Sequence, residues 1–179
     1  MNSNRRTDLR ASASITVFES FYRDHYAAIS RYVARRLPPS SHDEVVAATF
    51  VIAWQKFAQV PEPSLTWLYR IASYEVAHER RRMGRHPEAA QLNDLHLIDS
   101  SPLQELFDVS RAFSQLSESD ADLLRLIYWE NLSRSEIAEV LGTSVNAVNV
   151  RCHRALERLA GAASRLANLD NNPSSKEAP

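Results

Sequence analysis

The 179-residue chain is poor in several features, and each shortage excludes a class of protein. Its three glycines form no phosphate-binding loop, and the absence of an alternating strand pattern favours an all-helical fold. The single cysteine, Cys152, excludes an internal disulfide and fits a reducing cytoplasm. No segment approaches the roughly 18 apolar residues of a membrane span, and the polar N-terminus lacks a signal-peptide pattern. We therefore predict a helical cytoplasmic protein that does not insert into a membrane.

Side chains that bind metals or perform catalysis form no recognisable set. His78 and Glu79 begin like the zinc-protease pattern HExxH, but Arg82 stands where the second histidine belongs. Cys152 and His153 have no CxxC or suitably spaced histidine partner. A Ser/His/Asp set cannot be picked out either. The sequence predicts no metal, no cofactor and no enzymatic activity.

Charge is distributed unevenly along a chain whose formal net charge is only −1. Arginines cluster at 80–82 and again at Arg151, Arg154 and Arg158, whereas acids gather at 105–108 and 118–122. A nearly neutral protein with basic patches still binds nucleic acid, because the local field governs contact with phosphate.

Residues 132–159, LSRSEIAEVLGTSVNAVNVRCHRALERL, form the most informative segment. Ser133 and Glu136 have the spacing of a capping box, which starts a short helix. Gly142 has the place of a left-handed residue that ends this helix, and Ser144 can cap the next. The second helix has an apolar stripe at Val145, Val148, Cys152, Ala155, Leu156 and Leu159. Two short helices with a tight turn predict a helix-turn-helix that places the second helix in a DNA major groove.

The polar face of that second helix has the chemistry of a DNA-reading surface. Arginine suits guanine edges and asparagine suits adenine edges, whereas a merely solvated helical hairpin, the alternative interpretation, would more often carry Glu and Lys. Asn149, His153 and Arg154 face away from the apolar stripe and are predicted to reach bases. Arg151 and Arg158 lie further round and are predicted to meet phosphate. The full predicted contact set is Ser144, Asn146, Asn149, Arg151, His153, Arg154 and Arg158.

The N-terminal half contains three predicted helices. The first runs from Val17 to Arg36 and is stopped by Pro38-Pro39, the second opens at Ser41, and the third runs from Ser64 to Arg82. We predict that their apolar stripes bury, among others, Phe18, Phe21, Tyr22, Ile29, Tyr32, Val33, Val46, Phe50, Ala53, Trp54, Phe57, Trp67, Leu68, Ile71 and Ala72.

The loss of periodicity between the two halves predicts a flexible linker at 84–102, which contains glycine, two prolines and scattered acids. The predicted architecture is all-α, with two small helical domains: an N-terminal helical bundle at 15–83 and a C-terminal helix-turn-helix domain at 103–167.

Both halves together resemble the extracytoplasmic-function (group 4) RNA polymerase sigma factors of the sigma-70 family. FYRDHYAAISRYVARRL, DEVVAATF and WLYRIA stand in that family's order in the N-terminal half, and residues 132–159 are similar to its promoter −35 reader. The resemblance implies a non-catalytic subunit whose partners are core RNA polymerase and promoter DNA. The N-terminal domain would bind the polymerase clamp and melt and hold the −10 strand, and the C-terminal domain would read the −35 duplex. Family members are commonly held inactive by an anti-sigma factor, so the resemblance also implies a partner of this kind.

The resemblance also implies residue roles in the N-terminal domain. Cations and an aromatic ring on the third helix would hold the −10 strand, because bases stack on aromatic rings and arginine contacts phosphate. Arg80 to Arg82 could instead be cations favoured by the helix dipole. The predicted −10 set is Lys56, Arg70, Tyr74, His78, Arg81 and Arg82, and the predicted polymerase-binding set is Asp43, Glu44, Val45 and Thr49.

The second helix departs from the family at two positions. Its usual Gln and Glu are replaced by Ala47 and Ala48, so docking must rest on Asp43, Glu44 and the apolar face. The alternative function is a conventional helix-turn-helix regulator with an N-terminal dimerisation or sensing domain. Such a domain is not expected to show the N-terminal motifs in sigma order.

Overall fold

The computed structural model describes the backbone of residues 2–84 and 110–170, and the side chains of 15–84 and 110–168. All regular secondary structure in these ranges is helical, which confirms the predicted all-α fold. The chain divides into two compact units, the first built on the helices up to residue 84 and the second on those after residue 110. The predicted linker lies outside the described residues except for Gly84, which ends a helix.

The first unit contains α1 (Asn2–Ala34), α2 (Pro39–Lys56), a 3₁₀ turn (Phe57–Gln59) and α3 (Leu65–Gly84). Helix α1 begins well before the predicted Val17, because residues 2–16 contain no proline or glycine to stop it. Helix α2 begins at Pro39 rather than Ser41, since proline is tolerated in the first turn, where its missing N–H would have no helical partner.

Helices α1, α2 and α3 pack together around buried aliphatic side chains such as Ile29, Val46 and Leu68. Beside this core, the Phe18 ring lies 4.9 Å from Trp54 and 5.1 Å from Phe57. The burial predicted for Tyr22 and Trp54 is wrong, because both are exposed. Each ring still makes an edge-to-face contact with another aromatic ring, Trp54 with Phe18 and Tyr22 with Phe50, but a small unit cannot bury every large ring completely.

From residue 110 the chain forms a helical segment at 110–114, then α4 (Glu118–Tyr128), α5 (Arg134–Leu141) and α6 (Val145–Asp170). Leu123, Ile137, Val148 and Cys152 are buried, as their periodicity predicts. Near the end of α6, Ala162 and Leu166 pack on Ala112. Buried side chains therefore hold α6 in place from Val148 to Leu166. Val145, predicted to belong to that stripe, is exposed instead.

Candidate nucleic-acid interface

The turn between α5 and α6 has the predicted capping and glycine geometry. The Ser133 N–H donates to a Glu136 carboxylate oxygen at 2.8 Å, and the Glu136 N–H donates to Ser133 Oγ at 3.3 Å. Gly142 has φ of 62°, and the next N–H, that of Thr143, donates to the Ala138 carbonyl at 2.9 Å. The capping box and the left-handed glycine are confirmed, so α5 stops where α6 can begin at a defined angle.

Ser144 caps α6 with its side chain. Its Oγ accepts a hydrogen bond from the Ala147 N–H at 3.2 Å, which satisfies one of the helix's first amide donors. The Ser144 hydroxyl oxygen, which was predicted to contact DNA, therefore already caps the start of α6. Ser144 remains exposed, so its hydroxyl proton can still be donated to a phosphate oxygen.

Helix α6 presents a row of polar side chains opposite its buried stripe. Asn146, Asn149, His153 and Arg154 are all exposed, whereas Arg151 is half-buried. His153 Nε2 lies 3.3 Å from the carboxylate of Glu157, one turn further along. The row thus contains amide and guanidinium donors within the first three turns of the helix, which is the part that enters a groove in helix-turn-helix proteins.

Arg158 belongs to a different arrangement from its neighbours. Its Nη1 donates to the buried carboxylate of Asp120 at 2.6 Å, which joins α6 to the start of α4. The guanidinium remains 60% exposed, so its other N–H groups still face solvent. An open cleft of about 640 Å³ adjoins this pair and is also lined by Arg154 and Arg165. Contact between Arg158 and phosphate stays a prediction, but the ion pair gives this arginine a structural role as well.

Helix α3 carries the side chains predicted to hold the −10 strand. Arg70, Tyr74, His78 and Arg81 are exposed at spacings of four, four and three residues, so they follow one face of the helix. Lys56 is exposed at the end of α2, before the loop that leads into α3. The structure brings these four α3 residues into one stripe.

Arg82, the last member of that set, is bound within the first unit. Its Nε and Nη2 donate to the two carboxylate oxygens of Glu79 at 2.6 and 2.8 Å, and Nη2 also lies 3.3 Å from Glu44. Glu44 was predicted to contact polymerase and Arg82 to contact DNA, yet here they contact each other. Glu79 is buried and accepts a further hydrogen bond from Ser41. The hydrogen bond from Arg82 lowers the pKa of the Glu79 carboxyl, whereas burial opposes this shift.

The four residues predicted to bind polymerase divide into two exposed and two buried. Asp43 and Glu44 are exposed near the start of α2. Val45 and Thr49 are buried, and Thr49 Oγ1 donates to the Val45 carbonyl at 2.8 Å. Their burial argues against direct contact with a partner, because both side chains pack inside the first unit.

The sequence predicted docking on an apolar face of α2 but did not identify the residues that form this face. Ala47, Val51 and Trp54 are exposed, and their spacing of four and three residues places them on one side of the helix. They continue the face on which Asp43 and Glu44 lie. The helical spacing was readable from the sequence, but α2 is apolar on nearly every side, so its pattern does not show which apolar face is left uncovered.

The described residues provide no grouping of three or more His, Cys, Asp or Glu side chains that could hold a metal ion. Within the same ranges, no helix is both long and apolar enough to cross a membrane.

Residues 106–159, which include the helix-turn-helix, match the family described as Sigma-70, region 4. The chain is 30% identical over 140 residues to the RNA polymerase sigma factor CnrH of Cupriavidus metallidurans, and the match covers 69% of this chain and 73% of CnrH. It belongs to the extracytoplasmic-function RNA polymerase sigma factors. A second family member, SigD of Mycobacterium tuberculosis, is 31% identical over 125 residues, which cover 65% of this chain and 58% of SigD.

Solved structures of sigma factors share the fold. The structure of CnrH in complex with the cytosolic domain of CnrY matches with a TM-score of 0.61 and 26% identity, and covers 90% of this chain and 96% of CnrH. The Bartonella quintana sigma factor RpoE, solved with the anti-sigma factor NepR, matches with a TM-score of 0.62 and 20% identity, over 82% of this chain and 96% of RpoE. The sigma-factor family is not a family of enzymes, and membership favours the sigma reading over a conventional helix-turn-helix regulator.

Proposed function

We propose that this sigma factor binds core RNA polymerase in the cytoplasm and directs it to promoters without catalysing a reaction of its own. The first unit docks on the polymerase and holds the −10 strand, and the second unit reads the −35 duplex. The main support is the row of exposed hydrogen-bond donors on α6. This row belongs to a helix-turn-helix with the expected caps and glycine turn, and it lies within the segment that matches sigma region 4.

Reading of the −35 duplex is assigned to the exposed polar row of α6. Asn146 and Asn149 offer amide groups suited to adenine, and Arg154 offers a guanidinium suited to guanine. Arg151 is half-buried and lies away from the middle of this row, so it is assigned to phosphate.

Capture of the −10 strand is assigned to the exposed stripe of α3. From Arg70 to Arg81 the stripe runs about 16 Å along the helix axis, since each residue adds about 1.5 Å. Tyr74 supplies a ring on which an unpaired base can stack, and the arginines supply phosphate contacts. Lys56 adds a cation at the end of α2.

Docking on the polymerase is assigned to the exposed face of α2. Asp43 and Glu44 provide charge, and Val51 and Trp54 provide apolar surface. The alanines at 47 and 48 remove polar groups that the family usually has there. The apolar surface of α2 therefore contributes more to the proposed contact with polymerase than the remaining acids, Asp43 and Glu44.

An anti-sigma protein is proposed as a further partner. The support is that the related CnrH was solved in complex with the cytosolic domain of CnrY, and that RpoE, whose fold this chain shares, was solved with the anti-sigma factor NepR. The test is transcription by reconstituted holoenzyme, with and without proteins that co-purify with the chain. An anti-sigma protein among them should suppress only the transcripts that depend on this sigma factor.

Run-off transcription on genomic DNA tests the main proposal. Core polymerase with this protein should give discrete start sites that core polymerase alone does not give. Promoter binding should weaken steeply as salt rises, because phosphate contacts release counterions. If core with a known sigma factor gives discrete starts and core with this protein gives none, the proposed function is wrong.

A further inference from the structure

Two valines on α6 are exposed to the same extent, at positions where the surrounding exposed side chains are polar. Val145 and Val150 each have 43% of their surface accessible. Their common exposure hides a difference in direction, because successive residues of an α-helix are rotated by about 100°.

The buried residues Val148, Cys152 and Ala155 define the inward direction of α6. From the middle of this stripe, Val150 is rotated by about 165° and points almost directly outward, whereas Val145 is rotated by only about 55°. Val150 thus lies nearer the centre of the outward face than Asn149, which is rotated by about 95°.

The neighbours of Val150 on that face are the polar residues one turn away. Asn146 precedes it by four residues and Arg154 follows it by four, and both are exposed. DNA that lies against both of these side chains therefore faces the isopropyl group between them. A valine makes no hydrogen bond to a base edge or to phosphate, so its only favourable contact in a major groove is apolar. The C5-methyl group of thymine is the apolar group that the major groove offers.

We propose that Val150 is a specificity-determining residue that contacts the methyl group of one thymine in the −35 duplex. The inference rests on the proposed function and deepens it, because it adds a position of methyl readout to the hydrogen-bonding row. It also assigns the centre of the reading face to a side chain without hydrogen-bonding capacity.

The test begins with holoenzyme reconstituted from core polymerase and the full chain. A duplex is selected with this holoenzyme from a pool randomised over the −35 region, and each selected thymine is then replaced in turn by deoxyuridine, which removes only the methyl group. One replacement should lower affinity about fourfold, which corresponds to the roughly 0.8 kcal/mol of one buried methyl-sized group. Val150→Ala holoenzyme should bind the thymine and deoxyuridine forms of that duplex equally well.

Val145→Ala is the matched control, since it makes the same chemical change at an equally exposed position of the same helix. It should keep the fourfold preference for thymine. Both substitutions place alanine, a better helix former than valine, at exposed helical sites, so circular dichroism should show that both variants keep their helicity and remain folded.

Three results would overturn the inference: a selected −35 sequence without thymine, equal binding of thymine and deoxyuridine duplexes at every position, or a thymine preference that Val150→Ala retains. Failure of the proposed function gives a different result. In that case no sequence is enriched from the pool, although a known sigma factor with the same core enriches its own.

Discussion

At the scale of single residues, contact with a buried carboxylate distinguishes two arginines that look alike in the sequence. Arg154 and Arg158 are one turn apart on α6, but only Arg158 reaches Asp120. Replacing a residue that neutralises a buried acid leaves the acid unpaired, and this costs more than the contact itself contributed. The two arginines should therefore respond differently when each is replaced.

Arg158→Ala should lower the free energy of unfolding by about 1–3 kcal/mol, because the Asp120 carboxylate loses its charged donor. Arg154→Ala should leave stability unchanged and cost about 1–3 kcal/mol of affinity for the selected −35 duplex, with relaxed preference at one base pair. Urea unfolding and duplex titrations across a salt series measure these effects. An Arg158→Ala protein of normal stability that binds all duplexes equally weakly, with a flatter salt slope, would show that Arg158 acts on phosphate alone.

Glu79 should make the first unit sensitive to acid. Its carboxyl pKa lies below the ordinary value of 4.5, chiefly because Arg82 donates hydrogen bonds to the charged form. A lowered pKa in the folded state gives stability that is present above the ordinary value and is lost as pH falls through the folded value. The stability difference between the wild type and Glu79→Gln should therefore shrink as pH falls below about 4. Glu44→Gln is the control; its exposed pair with Arg82 should contribute little at any pH. A constant difference down to the lowest measurable pH would contradict the assignment.

At the scale of helices, two glycines on either side of the reading face should respond to alanine with opposite sign. Gly142 has a left-handed backbone with φ of 62°, so Gly142→Ala should cost about 1–2 kcal/mol. Gly161 is inside α6, and a Cβ there would meet only an ordinary 3.5 Å contact with Arg165. Gly161→Ala should stabilise by about 0.5–1 kcal/mol, because alanine restricts the unfolded chain. Thermal unfolding measures both, and destabilisation by both substitutions would show that α6 does not tolerate added volume.

The contrast between α6 and α2 shows which parts of the site could be read from the sequence. In α6 most of the apolar residues recur on one stripe, so the exposure of Asn146, Asn149, His153 and Arg154 was predicted and is confirmed. In α2 apolar residues surround the helix, and the face that is buried depends on where α1 and α3 pack. The periodicity of apolar residues in α2 therefore does not show which of its faces is buried.

Ion pairs between distant segments were the other feature that the sequence could not provide. Arg82 and Glu44 are 38 residues apart, as are Arg158 and Asp120. Which cation pairs with which acid depends on how the helices pack and on where each helix starts. Local sequence patterns do not show this, so Arg82 and Arg158 were both predicted to contact DNA. The capping box at Ser133 and the turn at Gly142 were predictable because all their partners lie within a few residues.

At the scale of the whole molecule, docking on core polymerase should depend on the apolar face of α2. Val51→Glu places a charge where the proposed contact excludes water, so affinity for core should fall at least about tenfold, equivalent to about 1.4 kcal/mol. Val17→Glu on α1 is the matched control, since Val17 is 58% exposed and Val51 is 55% exposed. Titration of fluorescently labelled protein with core polymerase measures both variants. Equal affinity of the two would remove Val51 from the interface.

Because Cys152 is buried, the reaction rate of the chain's single thiol should report how often the second unit opens. Burial raises the pKa of this thiol, so little reactive thiolate forms while α6 is packed. An alkylating reagent should consume it only at the rate at which the surrounding helices open. A bound −35 duplex stabilises the folded form and should lengthen the labelling half-time by the factor 1 + [DNA]/Kd, which is the inverse of the unbound fraction. Mass spectrometry of alkylated protein would then report DNA binding without any engineered probe.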